Sequence, residues 1–313
     1  MAVVSTGFFD GVHLGHRLVI DTLLSVAKER GEQSMIVTFW PHPRTVLQND
    51  ARNLRLLSSL PEKKERLLSL GIDRVEVLDF SREFSGMTAH DYLKEILQKQ
   101  YGTTAIVMGY DNRMGSDSLG RQAVEELALS LGLEVVSVQP KFIGASGLAN
   151  TPDIIAPDLP ISSTKIRAAL EAGDVVAASA MLGYDYCLHG VVVAGNRVGR
   201  TLGFPTANMQ LYEPLKLVPA NGVYLVEVEI FGSKYYGMTN IGVRPTVTGG
   251  GSRTIETHIF DFDELIYGLD IRIRFLERIR DEKRFDSLQE LVEQLRKDKM
   301  TCQKRSRARS EMK

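Results

Sequence analysis

The chain has 313 residues, 43% hydrophobic and 25% charged, which is enough for two cored domains. Lys+Arg 38 against Asp+Glu 39 leave a net charge of −1, which excludes a global field for polyanions and leaves any phosphate binding to local sites. Cys187 and Cys302 stand far apart in no metal spacing, which excludes a disulfide scaffold.

From the N-terminus, apolar β-branched runs alternate with amphipathic segments. The runs are AVVSTGFF, SMIVTFW, RVEVLDF, TAIVMGY and LEVVSVQ. Between them lie HRLVIDTLLSVAKERG, PEKKERLLSLG, AHDYLKEILQKQYG and RQAVEELALSLG, each stopping at a glycine that can take the left-handed cap. Continuously apolar strands separated by helices predict an open parallel sheet covered on both faces, with ligands beyond the carboxyl ends of its strands. STKIRAALEAGDVVAASAMLG reads as a helical bridge. After about Gly183 the pattern changes to period two in GVYLVEVEI, KYYGMTNIG, SRTIETHIFDF and LDIRIRFLERI, which predicts a small antiparallel barrel. A terminal helix follows in FDSLQELVEQLRKD, where Ser287 and Glu290 suit a capping box. The polar, basic stretch from Lys299 to Lys313 reads as a frayed end; it lacks the aromatics of a nucleic-acid arm. With no apolar run of membrane-spanning length and no basic-then-apolar leader, the chain reads as cytoplasmic.

The first chemical signal is GFFDGVHLGH, Gly7 to His16, where a strand becomes a helix. Such a turn leaves backbone N–H groups pointing outward at the positive end of a helix dipole, an anion site before any side chain is counted. His13 and His16 are three apart and share a face, and Gly15 between them allows close approach of a phosphate. A zinc reading needs further ligands, and none stands nearby at useful spacing. Two histidines beside a turn, with no ligand, is the structural alternative for this motif taken alone. A second helix start, DLPISSTKIRAAL, puts Ser162, Ser163 and Thr164 ahead of Lys165 and Arg167. It reads either as an N-cap or as a phosphate clamp of hydroxyls, N–H groups and cations.

In the second half, GVVVAGNRVGRTLGFPTANM carries four glycines, Gly190, Gly195, Gly199 and Gly203, but no P-loop pattern. If this stretch is extended, Thr206 and Asn208 project to one side as hard oxygen donors suited to magnesium; a glycine-rich barrel turn is the alternative. In TIETHIFDFD, Glu256 and His258 share one strand face, and Glu256 is a candidate general base. A solvated strand face is the alternative there.

Taken together, GFFDGVHLGH, ISSTKIR, TFWPHPRTVL and GYDNRMG resemble the HxGH nucleotidyltransferases, and closely the adenylyltransferase half of bacterial bifunctional riboflavin kinase/FAD synthetases. GRTLGFPTAN, TNIGVRPT and TIETHIFDFD, in this order, resemble the riboflavin kinase half. The resemblance covers nearly the whole chain. It implies an α/β plus β architecture: a Rossmann-like FMN adenylyltransferase domain over 1–183, then a riboflavin kinase barrel with its C-terminal helix over 184–313.

For adenylyl transfer it implies that His13 and His16 stabilise charge on the ATP phosphates. Gly7, Gly15, Ser162, Ser163, Thr164 and Arg167 would bind ATP, and His42, Pro43, Gly109, Asp111, Asn112 and Arg113 would shape the flavin pocket. For phosphorylation it implies ATP binding by Gly195, Gly199, Arg200, Gly203, Thr206 and Asn208, with the last two on Mg2+, Glu256 activating the ribityl 5′-hydroxyl, and Arg244 beside the flavin. ATP, riboflavin and FMN are the expected small-molecule partners and FAD the final product, with no nucleic acid or membrane partner and with FMN and FAD available to apoflavoproteins. The chain departs from the usual pattern in starting almost at its first strand and at Phe8, Asn112, Met114 and Val247. Transferases for phosphopantetheine or nicotinate mononucleotide share the first motif set but have no reason to carry the barrel. A tRNA synthetase fragment would need RNA-binding surface that this neutral chain lacks. A binding protein with dead sites is disfavoured because each named catalytic position holds the required residue.

Overall fold

The computed structural model describes residues 1–47, 54–109, 113–138, 161–195, 198–244 and 252–311. It forms two compact units, Met1–Ser163 and Thr164–Lys313.

In the first unit β1 (Ala2–Thr6), β2 (Gln33–Trp40), β3 (Arg74–Asp79), β4 (Thr103–Met108) and β5 (Glu134–Ser137) lie parallel in the order β3-β2-β1-β4-β5. The connections carry α1 (Leu14–Arg30), α2 (Pro43–Leu47), α3 (Leu60–Ser69), α4 (Arg82–Ser85), α5 (Ala89–Asp91) and α6 (Arg121–Ser130), and α5 runs on as a π-helix over Tyr92–Gln100. Alternate residues of the strands feed two cores. Val3, Ile36 and Val107 pack with Ile20 and Leu23 of α1, while Val4, Val37 and Ile106 pack with Leu93, Leu97 and Val124 on the other face. The continuous apolar runs follow from this two-sided burial. Gly31, Gly71, Gly102 and Gly132 all take positive φ, as the helix-ending glycines predict. From β1 the chain builds outward to β2 and β3, then returns to place β4 on the other side of β1. The carboxyl ends of β1 and β4 therefore mark the switch point where open sheets hold ligands.

The second unit takes in all of α7 (Ser163–Ala172) beyond its first residue, followed by α8 (Val175–Leu182). It continues with β6 (Cys187–Val193), α9 (Val198–Thr201), β7 (Ala207–Leu211), β8 (Gly222–Ile230), β9 (Ser233–Arg244), β10 (Ser252–Ile259), β11 (Asp270–Arg280) and α10 (Leu288–Glu311). The strands pair antiparallel into a closed barrel in the order β10-β7-β6-β11-β8-β9. The bridging helices belong with this unit by contact. Arg278 donates to the carbonyl of Ala172 at 3.1 Å, and the N–H of Ala220 donates to Leu170 at 2.9 Å.

The capping box of α10 forms in altered shape. Ser287 Oγ accepts from the N–H of Glu290 at 3.2 Å, but the Glu290 carboxylate accepts from Asp286 N–H rather than from Ser287. The frayed tail expected after Lys299 is instead helix through Glu311. Its inward side is made of Cys302 and Ser306, both buried, and Arg305 and Arg309 turn inward to Glu277 and to the carbonyl of Leu276. Small and basic residues do this packing, so no apolar stripe announces it.

Ending the chain at Lys299 should destabilise the barrel unit by about 2 kcal/mol or more, the range for losing a buried side chain with its partners. Denaturant unfolding followed in the isolated variant checks this; a truly frayed tail would leave the midpoint unchanged.

Candidate active sites

The turn from β1 into α1 runs through strained backbone. Phe9 and Val12 have φ of 52° and 40°, which for bulky and β-branched residues costs on the order of 1–3 kcal/mol each. Both side chains are buried in the core shared with α1. Three polar side chains fix the backbone as well. The Asp10 carboxylate accepts from the N–H groups of Leu57 and Ser58 at 3.0 and 3.1 Å, Ser58 Oγ accepts from Gly11 N–H at 3.1 Å, and Lys63 Nζ donates to the Phe8 carbonyl at 2.8 Å. None of Asp10, Ser58 or Lys63 is among the residues singled out from sequence. Lys63 did leave a trace there, since it stands four residues before Leu67 on the apolar face of α3.

His13 is the N-cap of α1. Its Nδ1 accepts from His16 N–H at 3.3 Å, so a neutral His13 carries its proton on Nε2. The two imidazoles stack at 3.7 Å, 13° from parallel. These are not surface histidines: His13 is 5% exposed, and His16 Nδ1 is buried with no hydrogen bond among the described residues. Burial, then the nearness of His13 and Lys63, holds the His16 pKa well below 6.5. At neutral pH it is an uncharged imidazole. The space above Gly15 is taken up by protein, because a Cβ there would meet the His13 ring at 3.1 Å and the Ile161 carbonyl at 3.3 Å. Its lack of a side chain first makes room for His13. From the hydroxyl cluster, Ser163 Oγ donates to the carbonyl of Asp10 at 3.2 Å, so that residue does meet the turn. Ser162 is half-buried beside it in sequence, while Thr164 and Arg167 follow a turn apart on α7 in the second unit.

Next to the switch point a cavity of about 480 Å³ is lined by Gly7, Phe8, Pro43, Phe84, Tyr92 and Arg113 among others. Its volume and aromatic walls suit a planar ring system. Phe8 is set edge-on to His42 at 4.2 Å, and the Tyr92 hydroxyl bonds Thr6 at 2.7 Å. His42 also holds its own turn, its Nδ1 accepting from Arg44 N–H at 3.0 Å. Gly109 ends the run from β4 and is half-buried. Asp111, Asn112 and Val247 lie outside the described residues, as does the side chain of Arg244.

In the barrel unit a cavity of about 160 Å³ is lined by Gly195, Arg200, Thr206, Asn208, Asp263 and Tyr267 among others. Two of the glycines are there for close approach. A Cβ on Gly195 would lie 2.2 Å from Asn208 Nδ2, and one on Gly199 would lie 2.4 Å from the Phe204 carbonyl. Gly203 instead supplies a positive φ of 81°. Glu256 of β10 is directly opposite Asn208 of β7, so the two share a face of the sheet. Glu256 itself is half-buried beside the cavity rather than in its wall. On the same face His258 is buried with its Nδ1 2.9 Å from the Pro205 carbonyl, a contact that fixes the approach to Thr206. Among the described residues no three His, Cys, Asp or Glu side chains gather as a metal cage. Neutral oxygen donors such as Thr206 and Asn208 fit a magnesium ion that borrows phosphate oxygens, and they do not fit zinc.

Comparison with known proteins finds two family models in the same order as the two units. FAD synthetase matches residues 1–151, and riboflavin kinase matches residues 182–306. A bifunctional riboflavin kinase/FMN adenylyltransferase from Bacillus subtilis is 35% identical over 95% of this chain and 90% of its own length. The protein of the same description from Escherichia coli K12 is 34% identical over 96% of this chain and 91% of its own. A crystal structure from Streptococcus pneumoniae, described as a macrolide-efflux protein, superposes with a TM-score of 0.85 at 32% identity, covering 96% of this chain and 93% of that one. Among the described residues here, no helix is long and apolar enough to cross a membrane.

The pKa of Lys63 is lowered from the ordinary 10.5 to about 7, by burial first, with Asp10 opposing. Between those values the unfolded chain holds a proton that the folded chain has released, so stability should rise with pH from 7 to 10.5. Below pH 7 both states are protonated and the full penalty of burying the ammonium applies. Lys63→Met removes this penalty, so its stability relative to wild type should be greatest below pH 7 and decline toward pH 10.5. Denaturant titrations of both proteins across that range check the sign.

Gly195→Ala should push the Asn208 side chain aside and lower barrel-site activity about 10-fold or more, the scale for a group displaced by an ångström. Thermal unfolding would show the barrel intact, and unchanged turnover would remove Asn208 from the site.

Proposed function

The chain belongs to the bifunctional riboflavin kinase/FMN adenylyltransferase family, and we propose how its residues divide the two reactions. The carrying observation is that the two family models match one within each compact unit, and that each unit has a cavity lined by residues of that family's motifs, Gly7, Phe8, Pro43 and Arg113 in the first and Gly195, Arg200, Thr206 and Asn208 in the second.

In the barrel unit ATP phosphorylates riboflavin to FMN. Glu256 takes the proton of the ribityl 5′-hydroxyl, and Gly195, Gly199, Arg200 and Gly203 shape the nucleotide side. Thr206 and Asn208 would hold Mg2+, which supplies charge neutralisation to the phosphates when bound. Support comes from the register that sets Glu256 beside Asn208. Arg244, last residue of β9, is assigned to the flavin side.

In the first unit the FMN phosphate attacks the α-phosphorus of ATP, giving FAD and pyrophosphate. No covalent nucleophile is required, and the burden falls on position and hydrogen bonding. His13 and His16 donate to the triphosphate as neutral imidazoles. Gly7 is assigned to ATP, Gly15 makes way for the His13 ring on the same side, and Ser162, Ser163, Thr164 and Arg167 are assigned to the ATP phosphates as well. The aromatic cavity takes the isoalloxazine, with Pro43 and Arg113 in its wall, and His42, Gly109, Asp111 and Asn112 are assigned to flavin binding by their motifs. The work is cytoplasmic, and the products serve apoflavoproteins.

The flavin product profile of two variants tests the division. Removing a positioned base lowers a rate by ~10²–10⁴-fold, and removing a transition-state hydrogen bond by ~10²–10³-fold. His16→Ala given riboflavin and Mg–ATP should accumulate FMN. Glu256→Gln should leave riboflavin unused yet convert supplied FMN to FAD at near-normal rate. Normal FAD synthesis by the first variant, or normal FMN synthesis by the second, removes that residue from its role. Loss of both activities in both folded variants would end the idea of two independent sites.

A further inference from the structure

We propose that Lys63 is a positioning residue of the adenylyl-transfer site, its ammonium holding the Phe8 carbonyl and with it the strained turn that presents His13 and His16. The inference rests on the reading of that site given above. Lys63 is 0% exposed on α3. Its Nζ donates to the Phe8 carbonyl at 2.8 Å and to Thr38 Oγ1 at 3.0 Å, and it lies 3.8 Å from the centroid of the Phe8 ring. Thr38 Oγ1 donates to the same carbonyl at 3.2 Å. Phe8 is thus gripped at its backbone and its ring, immediately before the residue whose φ is 52°.

Packing alone does not account for a lysine here. An apolar side chain of similar volume fills such a space without desolvating a charge, and replacing buried charges in this way is often neutral or stabilising. Among the described residues, the titratable groups electrostatically coupled to Lys63 are Asp10, from the turn, and His16, from α1. Asp10 favours the ammonium, and the ammonium in turn disfavours protonation of His16. One group therefore fixes the backbone before the histidines and helps to keep the second of them neutral.

The test uses full-length Lys63→Met and Lys63→Gln, the latter retaining a neutral donor. Three quantities are measured: FAD formation from FMN and Mg–ATP, FMN formation from riboflavin, and the titration of His16 by NMR without substrate. For Lys63→Met, kcat for FAD formation should fall by ~10–100-fold, with KM for ATP held within about threefold. Lys63→Gln should recover part of the loss. FMN formation should be unchanged in both, and His16 should titrate at higher pH in both. FAD formation near the wild-type rate, a parallel fall in FMN formation, or an unmoved His16 midpoint would each overturn the proposal. Wild-type protein that makes no FAD would sink the site's assigned reaction instead, and the His16 titration would still decide the role of Lys63.

Discussion

Between β1 and α1 the backbone takes a path that its residues resist, and the first site depends on what holds it there. Burying side chains the size of Phe9 and Val12 stabilises by roughly 1.5–3 kcal/mol each, which is comparable to the strain at their positive φ angles. The hydrophobic core thus meets the conformational cost of the turn. Direction is a different matter, because apolar contact does not fix where a carbonyl or an N–H points. That is set by Asp10 within the turn and by the segment it binds, Leu57 to Lys63, from which Ser58 and Lys63 reach back to the turn's backbone. A fold that places this turn at its switch point gives the proposed phosphate site rigid walls.

The barrel solves the equivalent problem by leaving matter out. Around Thr206 and Asn208 the chain comes so close to itself that a methyl group on Gly195 or Gly199 has no room. The side chains are placed by exclusion, and the strand register then supplies Glu256 as a cross-strand neighbour. Both devices fix a donor or acceptor to within a fraction of an ångström. The first carries strain in bulky residues, and the second carries the conformational entropy of glycine.

Much of this was legible in the residues. The five buried strands and their glycine-ended helices follow from period and punctuation, and the barrel strands from alternation. Where the pattern misled, the reason is physical. The helix after Lys299 packs through a lone buried cysteine, Cys302, with Ser306 and the guanidinium groups of Arg305 and Arg309, too few apolar residues to show a stripe. The motif histidines could be found because histidine is not a usual helix-start residue, and the hydroxyls, which are usual there, because Lys165 and Arg167 follow them. The clamp on the turn could not, since Asp10 meets Ser58 across 48 residues and Lys63 meets Phe8 across 55. Only the position of a lysine on an apolar stripe hinted at it. The aromatic cavity was likewise scattered, with Phe8 coming from the turn after β1 and Phe84 and Tyr92 from the connection between β3 and β4.

The electrostatics of the first site run against the simplest expectation for a phosphate binder. A cationic His16 would attract ATP from a distance, but it would bind the ground state and the transition state alike, and uniform binding does not raise kcat. A neutral imidazole held in place interacts mainly through directed N–H donation, which is sensitive to where charge develops. Burial lowers the His16 pKa most, His13 next, and Lys63 adds to the effect while it holds the backbone ahead of the histidines. Asp10 in turn favours the charged form of Lys63 against burial, and Asp10 is itself fixed by Leu57 and Ser58. Charge state and geometry are therefore set by one connected group of buried residues, so a substitution that disturbs either one disturbs both.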